Sequence, residues 1–244
     1  MITGGQILIN VLFRSKAVDI LLALYEEPLN IRPLIRKVGG SATTIEQRIR
    51  ELVKEGLIKE KASKQFPFRK TLELTDKGKE VAEKLLLLRS TFTNELPLKR
   101  MKWPLLILYI VNKIKGKTKL QKLVFLLDKE LKIIKDHKYN FIKYRYGPFS
   151  KELIQDIEIL ILAGFINIEE EIKEINGEEI TIPIYTLTAR GQKIAQKIYN
   201  NLTKHEKEKI EKLNYYNKMT AKELTQYVHQ KYPQYVLSSD NIAV

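Results

Sequence analysis

Apolar positions recur at helical spacing over residues 15–55, and that spacing predicts three short helices. Val18, Leu21, Leu22 and Tyr25 share one face of the first, which Ser15 can N-cap and which runs to about Glu27. Asn30 is placed to cap the second, with Pro33 tolerated in its first turn. There Ile31, Leu34, Ile35 and Val38 turn inward, while Arg32, Arg36 and Lys37 face water. Gly39-Gly40 makes a turn, Ser41 caps the third helix, and Gly56 stops it just after Glu55. The core stripe of that helix is Ile45, Ile49, Leu52 and Val53.

After Gly56 the pattern becomes strand, turn, strand and helix, and this order occurs twice. ELVKEGLIKE (51–60) leads through a turn to TLELTDKGKEVAEKL (71–85). IEILILAGFINIEE (157–170) leads through a longer turn to IPIYTLTARGQKIAQKI (182–198). Gly56 matches Gly164, Leu57-Ile58 matches Phe165-Ile166, Leu74-Thr75 matches Leu187-Thr188, and Gly78 matches Gly191. Helix, glycine stop, strand, turn, strand, helix is the second half of a winged helix-turn-helix. The expected fold is therefore mainly α with small β-hairpin wings (α+β), in two tandem winged-helix-like modules.

The first module is expected over residues 1–93, a linker broken by Pro97 over 94–102, the second module over 103–237, and a flexible tail over 238–244. In the second module, residues 103–115 read as a buried apolar helix closed by Gly116. Thr118 and Gln121 have the spacing of a capping box opening a helix to about Leu131. Residues 139–150 read as a strand ending in a Gly-Pro turn, with Ser150 capping a helix that is apolar nearly all round. Thr203 with Glu206 and Thr220 with Glu223 form further capping boxes, opening helices to about Met219 and Lys231.

Charge separates the two copies. The chain carries 43 Lys+Arg against 29 Asp+Glu, a net +14 that favours polyanionic partners. Each half carries +7, so bulk charge does not say which half binds. The first turn, residues 59–70, holds Lys59, Lys61, Lys64, Arg69 and Lys70 against Glu60, with Gln65-Phe66-Pro67-Phe68 at its tip. The second, residues 169–179, holds six glutamates against Lys173. A basic projecting loop attracts phosphates and releases their counterions, whereas an acidic one is repelled. The acidic wing either meets a basic protein or is simply solvated. Phe66 and Phe68 are expected to pack back onto the wing rather than intercalate.

Double-stranded DNA is the partner this pattern implies. On the third helix Thr43, Gln47, Arg50 and Lys54 fall opposite the core stripe, flanked by Thr44, Arg48 and Glu51. That face would enter the major groove, with Gln47 suited to adenine and Arg48 or Arg50 to guanine or phosphate. With Arg36, Lys37 and Ser41 before them and Lys61, Lys64, Arg69 and Lys70 on the wing, these are the candidate contacts. The helix over residues 75–93 carries Leu85 to Leu88, which cannot all fit one stripe. Some must bury against a second surface, best supplied by a homodimer partner that would match a two-fold operator.

Residues 15–90 resemble winged helix-turn-helix regulators of the MarR, ArsR and PadR type. That resemblance implies sequence-specific DNA binding, often as a dimer. The second half, through TKLQKLVFLLDKE (118–130), Tyr144-Arg145-Tyr146-Gly147-Pro148-Phe149-Ser150 and TAKELTQYVHQKYPQY (220–235), resembles the Panacea-type domain of antitoxin-like proteins. The resemblance implies a protein partner at the second module rather than catalysis.

Other chemistries find little support. There is no cysteine, which excludes disulfides and thiolate sites. His137, His205 and His229 are read on loop or helix surface without neighbouring ligands, so no metal and no cofactor is expected. No Walker loop, G-x-S-x-G or H-E-x-x-H occurs, and no catalytic residue is assigned. A nuclease built from Asp128, Glu130, Asp136 and a lysine is a minor alternative. No signal peptide or membrane-length apolar run is seen, so a cytoplasmic protein with no membrane partner is expected. The Ile/Lys/Glu-rich composition fits a thermophile. The reading is a DNA-binding transcriptional regulator. The alternatives are an antitoxin-like interaction module with autoregulatory DNA binding, and a sequence-nonspecific nucleic-acid binder.

Overall fold

A computed structural model describes residues 11–62, 70–91, 99–175 and 178–237. The chain divides into two compact units, Met1–Thr93 and Asn94–Val244. The expected tail over 238–244 lies outside the described residues.

In the first unit the order is α1 (Ala17–Glu26), β1 (Leu29–Asn30), α2 (Ile31–Val38), α3 (Ala42–Lys54), β2 (Ile58–Ala62), β3 (Lys70–Leu74) and α4 (Asp76–Thr91). The antiparallel sheet runs β1-β3-β2. Ile20, Leu21, Leu34, Ile45, Leu52 and Leu57 are fully buried, each contributing about 1.5–3 kcal/mol of apolar burial. Val53 and Ile35 are only half-buried and Ile31 is exposed, so the inward stripes are narrower than their apolar residues suggest.

Two expected caps take other work. Ser15 does not cap α1; Lys16 stands at the N-cap in the left-handed region, φ 67°. Ser15 is buried, and its carbonyl accepts from Arg48 Nε at 2.9 Å. Asn30 stands at the N-cap of α2, but its side chain makes no cap bond; its Oδ1 accepts from Thr71 Oγ1 at 3.2 Å, and its backbone pairs with Thr71 as a strand. Ser41 does cap α3, accepting from Thr44 N at 3.1 Å.

The end of α3 is a Schellman turn. Gly56 N donates to Val53 O and Leu57 N to Leu52 O, both at 2.9 Å, with Gly56 at φ 68°. Leu57 O then accepts from Thr75 N at 3.0 Å, and Thr75 Oγ1 donates to Gly56 O at 2.6 Å while accepting from Gly78 N at 3.0 Å. A Cβ on Gly78 would stand 2.0 Å from Leu57 O. Only glycine lets α4 start this close to the first strand.

The second unit repeats both order and clamp. After a short 3-10 turn (Lys99–Met101) come α5 (Lys102–Val111), β4 (Lys113–Lys115), α6 (Lys117–Lys129), α7 (Lys151–Leu162), β5 (Ile166–Ile175), β6 (Glu178–Leu187) and α8 (Ala189–Asn200). The sheet runs β4-β6-β5. Gly164 N donates to Ile161 O at 3.0 Å and Phe165 N to Leu160 O at 2.9 Å. Thr188 Oγ1 donates to Gly164 O at 2.7 Å, and a Cβ on Gly191 would lie 2.0 Å from Phe165 O.

Elsewhere the second unit departs from its sequence reading. Residues 139–150 form no strand, only isolated bridges, Ile142 with Phe149 and Tyr144 with Val236. Side chains hold this loop instead: Ser150 N donates to Gln121 Oε1 at 3.0 Å, Gln121 Nε2 donates to Ser150 O at 2.9 Å, and the buried Lys122 amine donates to Tyr146 O. Gln121 therefore forms no capping box, and Gly116 stands at the N-cap of α6. His229 is half-buried against Gly147, not on the surface. Part of the expected linker belongs to this unit: Arg100 Nε donates to Asp156 Oδ2 at 2.8 Å.

Three further helices follow: α9 (Lys204–Ile210), α10 (Lys212–Lys218) and α11 (Ala221–Lys231). The single charged helix expected to Met219 is thus two, while both capping boxes form. Glu130, at the end of α6, gathers the last helices. Its carboxylate accepts from Tyr216 at 3.0 Å, Tyr227 at 2.7 Å and Lys231 at 2.5 Å.

Three outcomes follow from this packing. Gly78→Ala and Gly191→Ala each push a Cβ into a backbone oxygen and should cost about 1–3 kcal/mol in urea unfolding. Arg48→Ala removes a fully buried guanidinium and its bond to the Ser15 carbonyl, so it should cost about 2–3 kcal/mol, whereas exposed Arg50→Ala should stay within about 0.5 kcal/mol. The third concerns acid. Burial pushes Glu130 up, but hydrogen bonds from Lys231, Tyr227 and Tyr216 carry it below the usual glutamate range. Lys135 and the Thr203 cap hold Glu206 down at about 2. Both titrate lower folded than unfolded, so their stabilisation is complete above the unfolded glutamate value of about 4.3 and drains as pH falls toward 2. Glu130→Gln with Glu206→Gln should flatten that decline in melting temperature.

Candidate nucleic-acid interface

The predicted face of α3 exists. Thr43, Arg50 and Lys54 are exposed and Gln47 is half-buried, spaced three and four residues apart on one side of the helix. Thr44 is half-buried and shares its hydroxyl with Ser41 Oγ at 2.7 Å, so both serve the N-cap. Gln47 Nε2 donates to Glu51 Oε1 at 3.3 Å.

Arg48 is not part of that face. Its side chain is fully buried, bonded to Ser15 O and paired with Glu51 Oε2. Position 48 sits beside the core residue Ile49, and the long apolar stem follows the stripe inward while the guanidinium reaches a carbonyl at the start of α1. Arg48 sets where α3 lies instead of touching a ligand.

The other cations fall into paired and unpaired sets. Lys37 reaches Glu26 at 2.8 Å and Glu27 at 3.1 Å, and Glu26 first, then Glu27, raises its amine above the usual lysine range. Arg36, one residue earlier, is exposed and pairs with no carboxylate among the described residues. Among the described residues the wing cations do not form one cluster. Residues alternate faces along a strand, and Ala62 pairs opposite Lys70 while Lys61 pairs opposite Thr71. Lys61 and Lys70 thus project from opposite faces, and Lys70 holds Glu60 at 2.7 Å. Lys64, Arg69 and the tip residues 65–68 lie outside the described residues.

Three basic residues not assigned to the site shape its edges. Arg32 is exposed one turn before Arg36 on α2. Lys16 Nζ donates to Val38 O at 3.4 Å, bracing the turn before α3. Lys77 Nζ donates to Glu55 O at 2.8 Å and covers the carbonyl end of α3. The repeat carried a signal for the last: Arg190 occupies the same position in the second copy and donates to Ala163 O at 3.1 Å.

The matching surface of the second unit is acidic. Glu169, Glu174, Glu178 and Glu179 are exposed on the β5–β6 hairpin. Glu171 is held below the usual range chiefly by Lys115, then by Lys173. Asp156 of α7 is buried against Arg100. Burial pushes the Glu158 carboxyl up.

The three carboxylates of the nuclease alternative do not converge. Asp128 pairs with Lys129 at 2.9 Å and Lys138 at 3.2 Å, Glu130 with its tyrosines and Lys231, and Asp136 with Lys102 at 3.5 Å. Among the described residues no group of three or more His, Asp or Glu side chains is arranged to hold a metal. No described helix is long and apolar enough to cross a membrane.

Among curated proteins and solved structures, nothing matches the chain. Residues 16–100, which span α1 to α4 and the short turn after them, match the HxlR-like helix-turn-helix family.

Proposed function

We propose that the protein is a transcriptional regulator whose first unit reads duplex DNA with α3 and the basic wing. The observation that carries this is an exposed polar and basic helix face, Thr43, Gln47, Arg50 and Lys54, on a helix whose inner side is locked by Arg48, within a segment matching HxlR-like helix-turn-helix domains. Arg50 with the N-terminal part of α3 meets base edges, and Lys54 with Arg36, Lys61 and Lys70 meets phosphates.

The second unit, with the same element order and an acidic hairpin, is a second winged-helix-like module for partner contact. One reading is an antitoxin-like partner site, favoured by Ile142, Tyr144 and Tyr146, which stay exposed on the loop that Lys122 and Gln121 hold. Self-association is supported by Leu86 and Leu87 of α4, 41% and 67% exposed, beside buried Leu85.

Fluorescence anisotropy with the full chain tests the main reading, using the DNA upstream of its own coding sequence against random duplex. Specific binding should exceed random at least a thousandfold, the lower end of the usual span for such readers of about 10³–10⁷. Arg50→Ala should weaken specific binding by about 5–150-fold. Lys54→Ala should weaken both duplexes alike and lower the salt slope by about 1. Equal affinity for both duplexes would leave only a general nucleic-acid binder.

A further inference from the structure

One face of the first wing continues past its own core. Opposed residues share a sheet face, and the register places Ile58 with Leu74, Glu60 with Leu72 and Ala62 with Lys70 on one side. Ile58, Leu72 and Leu74 are buried there, whereas Glu60 and Lys70 are exposed. Between this row and α2 lies a cavity of about 510 Å³. Ile31 and Pro33 of α2, Ile49 of α3 and Leu72 of β3 give it apolar walls. Arg32 and Arg36, four residues apart on α2, and Lys70 on β3 give it a cationic lining.

Glu60 lines the cavity too, so its cationic charge is only partly compensated. Lys70 has Glu60, but neither Arg32 nor Arg36 pairs with a carboxylate among the described residues. A phosphate alone would need no apolar walls, and a neutral hydrocarbon would need no arginines. An anion on an apolar body uses both. The volume falls within the range of about 300–1,000 Å³ typical of small-molecule pockets.

We infer that this cavity binds a carboxylate carried on a short apolar tail, with Arg32 and Arg36 on the headgroup and Ile31, Ile49 and Leu72 against the tail. The incoming carboxylate also competes with Glu60 for Lys70. Arg36 and Lys70 belong to the proposed phosphate contacts, so an occupied cavity withdraws them from duplex. That consequence rests on the DNA-binding reading; the binding itself does not.

Titration calorimetry of the full chain with hexanoate, octanoate and decanoate, kept below micelle-forming concentrations and without DNA, decides the matter. Saturable one-site binding is expected, strengthening up to about fourfold per added methylene. The Arg32→Gln, Arg36→Gln double variant changes two exposed side chains and should bind octanoate at least tenfold more weakly at an unchanged Tm. No saturable binding, no dependence on chain length, equal binding of inorganic phosphate, or unchanged affinity in the double variant would each overturn the inference. Repeating the titration with labelled duplex separates the two proposals. A raised duplex Kd supports the coupling, and an unmoved Kd overturns the coupling alone. A duplex that never binds overturns the DNA reading, while the DNA-free isotherm still decides the cavity.

Discussion

The fold hangs on one close approach: a helix N-terminus packed against the carbonyl just before a strand, at a distance that forbids a Cβ. At Gly78 and again at Gly191 that imaginary atom would stand 2.0 Å from the carbonyl oxygen of Leu57 or Phe165. Around this point four chain segments meet: the end of a helix, the start of one strand, the end of the next, and the start of the closing helix. Thr75 and Thr188 stitch them with one hydroxyl each, donating to the glycine that ended the helix and accepting from the glycine that begins the next. Because backbone atoms and one hydroxyl make the joint, the outward side chains are free to vary. The two units show how far: the same clamp carries a basic wing once and an acidic hairpin once.

Net charge therefore says less than pairing does. Lys37, Arg48, Lys59 and Lys70 each have a carboxylate, and their charge is partly spent inside the unit. Arg32, Arg36, Arg50, Lys54 and Lys61 have none among the described residues. Those five are candidate-site or cavity cations whose charge stays open to an anion. They do not lie on one surface: Arg50 and Lys54 ride on α3, Lys61 projects from one side of the wing, and the two α2 arginines line the cavity on its other side. Phosphates along a duplex and a single small anion are thus offered different subsets of one charge excess.

What could be read from the sequence was what local chemistry fixes. The glycine stops, the Ser41, Thr203 and Thr220 caps and the repeated clamp all depend on residues within a few positions of each other or on a pattern that occurs twice. What could not be read depended on distant partners. Arg48 shares the helical spacing of an exposed residue, and only the Ser15 carbonyl, 33 positions away, makes it interior. Asn30 has the residue type of a cap, but Thr71 recruits it to a two-residue strand that no hydrophobic alternation announces. Gln121 sits at the spacing of a capping box, yet the backbone of Ser150, 29 positions on, offers it two bonds where a cap offers one. The alternation of residues 139–150 looked like a strand; instead Phe141 packs edge-on to Phe125 at 5.2 Å, and Tyr144 stacks on Phe149 at 4.8 Å.

The same long-range bonds explain why the second unit differs from the first in more than charge. In chain order α6 stands where α2 stands, but α2 exposes Arg32, Arg36 and Lys37, while α6 is buried continuously from Lys119 to Asp128. Its polar residues have been turned to internal use. Lys119 donates to Asn217 O at 2.7 Å, Lys122 to Tyr146 O, and Gln121 clasps Ser150. Taking an amine out of water disfavours its charged form, and burial pushes Lys122 down to about 8. That cost is tolerable only because the amine ties down the loop before α7, just as Lys119 ties down α10. A helix surrounded by loop and C-terminal helices has no side left for a groove. In the second unit the repeated frame has exchanged an outward surface for an inward anchor, while the acidic hairpin and the aromatic loop stay exposed.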